Sequence, residues 1–252
     1  MSVIRDFPRL GALYAMGAIA VFAVFAAVPS ARAQNVSARL DVWDIELGVH
    51  VRSLPVREFQ DYACGTDGGP PGRRLASWTE FERCDAEPSG LYEIHFRYDD
   101  ELEYRARATR ALGQVERFAG TRVFGRPVIV SVLIAGDGIV DGLRIVTDPR
   151  ASLIQRQEAY TLRNILRSRF SSKGWTCADE EPNERLQPIG RIFINQRCEK
   201  ELAGRTFVLE THYFRKRGQH AFDPATQALT PGQFESSARF EMRRVRDAGG
   251  GK

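Results

Sequence analysis

Beyond residue 33 the chain predicts an α+β fold: a mostly antiparallel sheet with a few helices packed on it. Two observations carry this expectation. Segments with the period-two alternation of strands follow one another through tight turns, as antiparallel pairs do. Helical periodicity is confined to a few stretches that do not alternate regularly with the strands, which argues against a parallel β-α-β arrangement.

The first 33 residues stand apart. Arg5 and Arg9 precede a charge-free stretch from Gly11 to Val28, and Ala31-Arg32-Ala33 follows a helix-breaking Pro29-Ser30. A basic start, an apolar middle and a small-residue A-x-A end are the parts of a cleavable secretory signal. Cleavage between Ala33 and Gln34 is expected, leaving no membrane anchor on the mature chain.

A first α+β unit is expected over residues 34–126. Val42–Leu47 reads as a short strand. Pro55 suits the first turn of a helix, where its missing N–H costs nothing, and that helix would run to about Tyr62. Residues 65–72 are too rich in glycine and proline for either regular structure. They also follow no parallel strand and lack the Lys-Ser/Thr of a phosphate-binding loop. Leu91–Tyr98 alternates as a half-buried strand, Asp99-Asp100 turns it, and Leu102, Tyr104 and Ala106 continue a return strand. Residues 108–119 have helical spacing in Leu112, Val115 and Ala119.

A second unit is expected over residues 127–246, with 247–252 as a flexible, glycine-containing tail. Val128–Ile134 and Ile139–Val146 flank Gly136-Asp137-Gly138, and Asp-Gly between two β-branched runs is a strong hairpin signal. Asp148-Pro149 stops the strand, and Ser152 can cap a helix reaching about Phe170. Trp175–Cys177 reads as a short strand, and three longer ones follow at about 190–198, 206–214 and 234–244.

All four cysteines, Cys64, Cys84, Cys177 and Cys198, lie beyond the signal. An even count in an exported chain implies structural disulfides. Four cysteines allow three connectivities. Sequential pairing brackets two similar stretches, 19 residues from Cys64 to Cys84 and 20 from Cys177 to Cys198. Each such loop would stabilise by roughly 3 kcal/mol in the chain-entropy picture. Zinc ligands prefer shorter pair spacings than any here, so no metal is expected. The whole chain carries 36 basic and 32 acidic residues, interspersed, without the concentrated basic face that nucleic acid binding requires.

The order helix, cysteine, loop, cysteine, strand occurs twice and suggests an internal repeat. Glu93-Ile94-His95-Phe96 follows Cys84 much as Glu210-Thr211-His212-Tyr213 follows Cys198. Ile45-Glu46-Leu47-Gly48, a short helix, Ala63-Cys64-Gly65 and then Phe81-Glu82-Arg83-Cys84 before a strand resemble the repeat unit of β-lactamase inhibitory protein and of small outer-membrane assembly lipoproteins. The resemblance covers about residues 44–98, and 174–214 more loosely. Gly48-Val49 departs from the family's Gly-Met/Thr turn, and the second copy has no such turn before its helix. The resemblance implies a duplicated helix–disulfide–sheet unit and a role in binding other proteins, without catalysis.

No motif for nucleophilic, metal or cofactor chemistry stands out. There is no Gly-x-Ser-x-Gly, and His50, His95, His212 and His220 form no His-x-x-x-His pair. No catalytic residue and no cofactor are therefore assigned. The expectation is a periplasmic or secreted binding or assembly protein that contacts another envelope protein. The alternatives are a periplasmic hydrolase of an envelope polymer and a small-ligand carrier. The candidate binding surface is Tyr98, Tyr104, His95, His212 and Tyr213, with Phe96 and Phe214 beside them, because aromatic side chains are enriched in protein contacts.

Overall fold

The computed structural model describes residues 41–56, 59–97, 108–109, 121–151, 153–156, 159–217 and 234–245. Its strands are β1 (Gln60–Cys64), β2 (Tyr92–Arg97), β3 (Thr121–Val123), β4 (Arg126–Ile134) and β5 (Val140–Thr147). They continue with β6 (Thr176–Asp179), β7 (Leu186–Gln187), β8 (Ile194–Leu202), β9 (Arg205–Lys216) and β10 (Phe234–Arg244). All join one sheet in the order β1-β2-β4-β5-β10-β9-β8-β6, with β3 also on β4 and β7 also on β9. Every pairing is antiparallel. Residue 126 opens β4, whose neighbours β2 and β5 come from either side of it in the sequence.

This corrects the α+β expectation, because the protein is predominantly β. Among the described residues only α2 (Ala159–Arg169) reaches seven residues as a helix, preceded by the one-turn α1 (Leu153–Arg156). The helix expected after Pro55 is replaced by β1. Phe59 and Tyr62 are buried there against Trp78 and Phe96, with ring centroids 4.8 Å apart for Phe59–Phe96 and 4.6 Å for Tyr62–Trp78. Pairing with β2 is interrupted between Gln60 and Ala63, where Asp61 adopts φ +54°. A bulge of this kind needs a tertiary partner, and that partner overrides the local signal of Pro55. The strand expected over Val42–Leu47 is instead a 3-10 turn, Val42–Asp44, closed by the Asp41 amide on Asp44 Oδ2 at 2.7 Å. The return strand at 102–106 and almost all of the helix at 108–119 lie outside the described residues.

Both disulfides form in the sequential pairing, Cys64–Cys84 and Cys177–Cys198. They do not mark a duplicated unit. Cys64 ends β1 and Cys84 follows the 3-10 helix Trp78–Arg83, whereas Cys177 and Cys198 are directly opposed residues of β6 and β8. Two bridges fit an oxidising, extracytoplasmic setting.

One face of the sheet carries the main core. Phe96, Val130, Ile145, Phe240 and Leu209 lie in one cross-strand row, all fully or nearly fully buried. On this face α2 packs over β9 and β10 through Ala159, Leu162 and Leu166, the i, i+3, i+7 stripe of a helix. Lys200, on the same face of β8, holds the end of that helix. Its Nζ donates to the carbonyls of Phe170, Ser171 and Lys173 at 2.6, 2.9 and 2.6 Å. A cation at a helix C-terminus satisfies acceptors that have no partner within the helix. Lys200→Met keeps the aliphatic stem and removes these bonds, so unfolding free energy should fall by about 2 kcal/mol. A urea midpoint equal to that of the parent would refute the capping role.

Candidate functional site

The opposite face divides into a covered half and an open half. Over β2, β4 and β5 it is buried: Glu93, His95, Ile129, Ser131, Leu133 and Arg144 are each at most 8 % exposed. Over β8, β9 and β10 the residues that alternate with the core remain half-buried or exposed, apart from Phe214 near the end of β9, which is buried. Two loops are placed over the covered half. Gly68 donates its amide to the Glu93 carboxylate, and a Cβ at Gly68 (φ +76°) would fall 2.5 Å from Val146 Cγ2. At Gly65 a Cβ would overlap the Glu93 side chain. The glycines of residues 65–72 therefore serve close packing of the loop on the sheet.

Arg144 lies at the centre of the covered half with 2 % of its side chain exposed. Its Nη1 is 2.5 Å from Glu87 Oε1, 3.0 Å from Glu93 Oε2 and 3.4 Å from Asp67 Oδ1. Its Nη2 donates to Glu87 Oε2 at 3.1 Å, and its Nε donates to Glu241 Oε1 at 2.7 Å. Asp67 and Glu87 each lie three residues past a half-cystine, so the Cys64–Cys84 bridge ties together the roots of both loops that reach Arg144. Arg239 links the cluster outward, donating to Asp67 Oδ1 and to Glu241 Oε1, both at 2.6 Å.

Burial opposes the charge of Arg144. The Glu87 hydrogen bonds and the fields of Glu93, Glu241 and Glu87 outweigh it and hold the guanidinium above its ordinary range. Burial likewise works against an ionised Glu241, but Arg144, Arg239 and Arg243 keep its carboxyl below the usual value. Arg144 and Glu241 each favour the charged form of the other, and such pairing is the condition under which buried charges are tolerated.

Where the loop edge meets the open half, a groove of about 540 Å³ forms. Asp67 stands on one side, Thr206, Val208 and Glu210 of β9 form the floor, and Arg197 of β8 stands on the other. Arg239, Glu241 and Arg243 of β10 complete the lining. Arg197 pairs with Glu199 at 2.9 Å and with Glu210.

The residues singled out from the sequence do not converge on this groove. Tyr98 and Tyr104 lie outside the described residues. His95 is buried on the covered half, with Nδ1 2.9 Å from the Val130 carbonyl. A carbonyl can only accept, so Nδ1 carries the proton. Burial pushes the His95 imidazole down to about 4, and the ring is neutral above that pH. His212 is half-buried on the same face of β9, beside Phe214 at 5.8 Å, but β2 and β9 are four strand spacings apart, about 19 Å. Tyr213 points to the opposite face and meets Tyr160 edge-on at 5.8 Å. Phe96 and Phe214 are buried.

Sequence reading missed the charged cluster. Arg144 was visible as the one charge inside the apolar run Leu143–Val146. Its partners were not, because Glu87 lies 57 residues before it and Glu241 lies 97 after it. Among the described residues no group of three His, Cys, Asp or Glu side chains is arranged to hold a metal ion. The chain matches no protein-family model, no curated protein and no solved structure.

Proposed function

We propose that the chain is an exported binding module that contacts another protein of the cell envelope through the open half of its sheet. The observation that carries this reading is the division of one sheet face. Half is sealed by disulfide-rooted loops over a compensated charge cluster, and half is left accessible with charged side chains set in rows. The charged groups of the sealed half are engaged with one another, which favours a structural over a catalytic role for them. Delivery outside the cytoplasm is supported by the leader read in residues 1–33 and by the two disulfides.

Site-specific photo-crosslinking tests it. A benzophenone amino acid is placed at Glu199 or Thr206 on the open face, or at Asn164 on the exposed side of α2, in cells that export the chain. One discrete envelope-protein adduct from the first two positions and none from Asn164 is the expected result. Adducts from Asn164 alone, or from no position, would overturn the assignment.

A further inference from the structure

The two ends of the sheet are finished differently. Beyond β1, residues 73–75 continue the bonding, with the Cys64 amide on the Arg73 carbonyl at 2.8 Å and the Leu75 amide on the Tyr62 carbonyl at 2.9 Å. Beyond β6 nothing among the described residues does so. The Glu180 amide donates to the Asn195 carbonyl at 2.8 Å, and Thr176 and Ala178 share its alternation, so these residues bond toward β8. Cys177 and Asp179 alternate with them, and Cys177 and Cys198 have the close Cα separation, 4.0 Å, of a non-hydrogen-bonded pair. The amides and carbonyls of Cys177 and Asp179 therefore point away from the sheet. Thr176, Ala178 and Asp179 are exposed. An open strip of this kind is a template for another strand.

Charge along the strip selects its occupant. Arg167, 5.9 Å from the Trp175 ring, and the exposed Lys173 lie at its beginning, while Asp179, Glu180 and Glu181 lie at its end. None of these groups has an ion pair among the described residues. Asp179 and Glu180 accept from the neutral amides of Gln196 and Asn195, at 2.6 and 2.5 Å, which leaves their charge uncompensated. Arg163 feels the field of Asp179, but burial and Arg167 outweigh it and hold that guanidinium below its ordinary range. We propose that a second copy of the chain docks antiparallel on this strip, joining two sheets across their β6 edges. A twofold axis beside Ala178 turns the basic beginning of one strip onto the acidic end of the other, a self-complementarity that an isologous contact uses. Cys177 of each protomer then exchanges both backbone hydrogen bonds with the partner's Asp179. Ala178 faces the partner's Ala178 in the closely spaced pair between them, where its small side chain does not hold the strands apart. Trp175, with Arg167 beside it, comes opposite the partner's Glu181. Pro182 has no N–H to offer and ends the strip. The strip is short, so association is weak and reversible, with a Kd on the order of 0.1 mM. This contact is separate from the open face assigned to the envelope partner and does not depend on it.

Sedimentation equilibrium of the full mature chain, up to about 0.5 mM and in about 50 mM salt, tests it. Concentration-dependent dimerisation is the expected result. Ala178→Lys sets two like charges face to face across the axis and should weaken the dimer about fivefold. Arg167→Glu and Glu181→Arg, each acting twice by symmetry, should also weaken it about fivefold. The double variant R167E/E181R should restore association, because each reversed charge then meets the other across the axis. That restoration separates a lost contact from a misfolded chain. A monomer throughout the range, a dimer indifferent to Ala178→Lys, or single losses that the double exchange does not restore would each overturn the proposal. In cells, a benzophenone amino acid at Ala178 should give an adduct of two copies of the chain. An adduct with a different protein in its place would give the edge to another polypeptide and overturn the second copy as its occupant.

Discussion

Arg144→Met should lower the unfolding free energy by about 3–5 kcal/mol, the largest loss expected from any single substitution in the described fold. Methionine fills much of the volume, so the cost comes from the charges left behind. Glu87, Glu93 and Glu241 expose only 14, 3 and 11 % of their side chains, and without Arg144 they repel one another where water cannot screen them. Arg239 and Arg243 still reach Glu241, whereas the ion pairs of Glu87 and Glu93 run to Arg144. The variant should also become less sensitive to acid, because Glu241, held below the usual carboxylate value chiefly by Arg144, then loses less on protonation. Adding Glu93→Gln to Arg144→Met should recover part of the loss, since it removes the most buried of the three charges. Urea unfolding of both single variants and the double variant measures the coupling directly. A loss below about 1 kcal/mol for Arg144→Met would mean that the cluster is not a structural keystone.

The second large effect concerns pH and resides in His95. An imidazole ordinarily titrates near 6.5, and burial lowers that of His95 to about 4 in the folded chain. Between these values the unfolded chain binds a proton that the folded chain does not. Acidification therefore favours unfolding across that window, by up to about 3 kcal/mol at its lower end, and the contribution levels off below it. The groups facing the ring are consistent with this. The Val130 carbonyl favours an Nδ1 proton, Arg150 opposes a positive charge, and Asp148 and Asp61 support one too weakly to offset burial. Asp148 is already engaged by Arg150 at 2.8 Å, and Asp61 by Arg97 at 3.3 Å. His95→Asn offers an amide donor to Val130 without a titrating group. The difference in unfolding free energy between parent and variant should shrink as pH falls from 6.5 to 4. A difference independent of pH would show that His95 does not titrate in that interval.

Much of the local structure was legible from residue order. The Gly136-Asp137-Gly138 hairpin, the extents of β2 and β10 and the stripe of α2 follow from turn chemistry and periodicity, which act over a few residues. The helix expected after Pro55 failed because the propensity of a short segment is weak beside the burial of Phe59 and Tyr62 against Trp78 and Phe96. The aromatic surface did not assemble for a related reason. Alternation tells which residues share a face of their own strand, but strand order decides whether His95 and His212 are neighbours or four strands apart.

By itself the sequence determined the cysteine inventory, favoured its sequential pairing, and set the period-two character of most strands. Each is a property of composition or of neighbours along the chain. Tertiary structure alone decided that a single sheet holds the ten strands of the described residues, that one face is half sealed and half open, and that Arg144 meets carboxylates from β2, β10 and two loops. Those contacts join residues tens of positions apart. They form because a guanidinium buried on a sheet must find its counter-charges in space, wherever the chain happens to bring them.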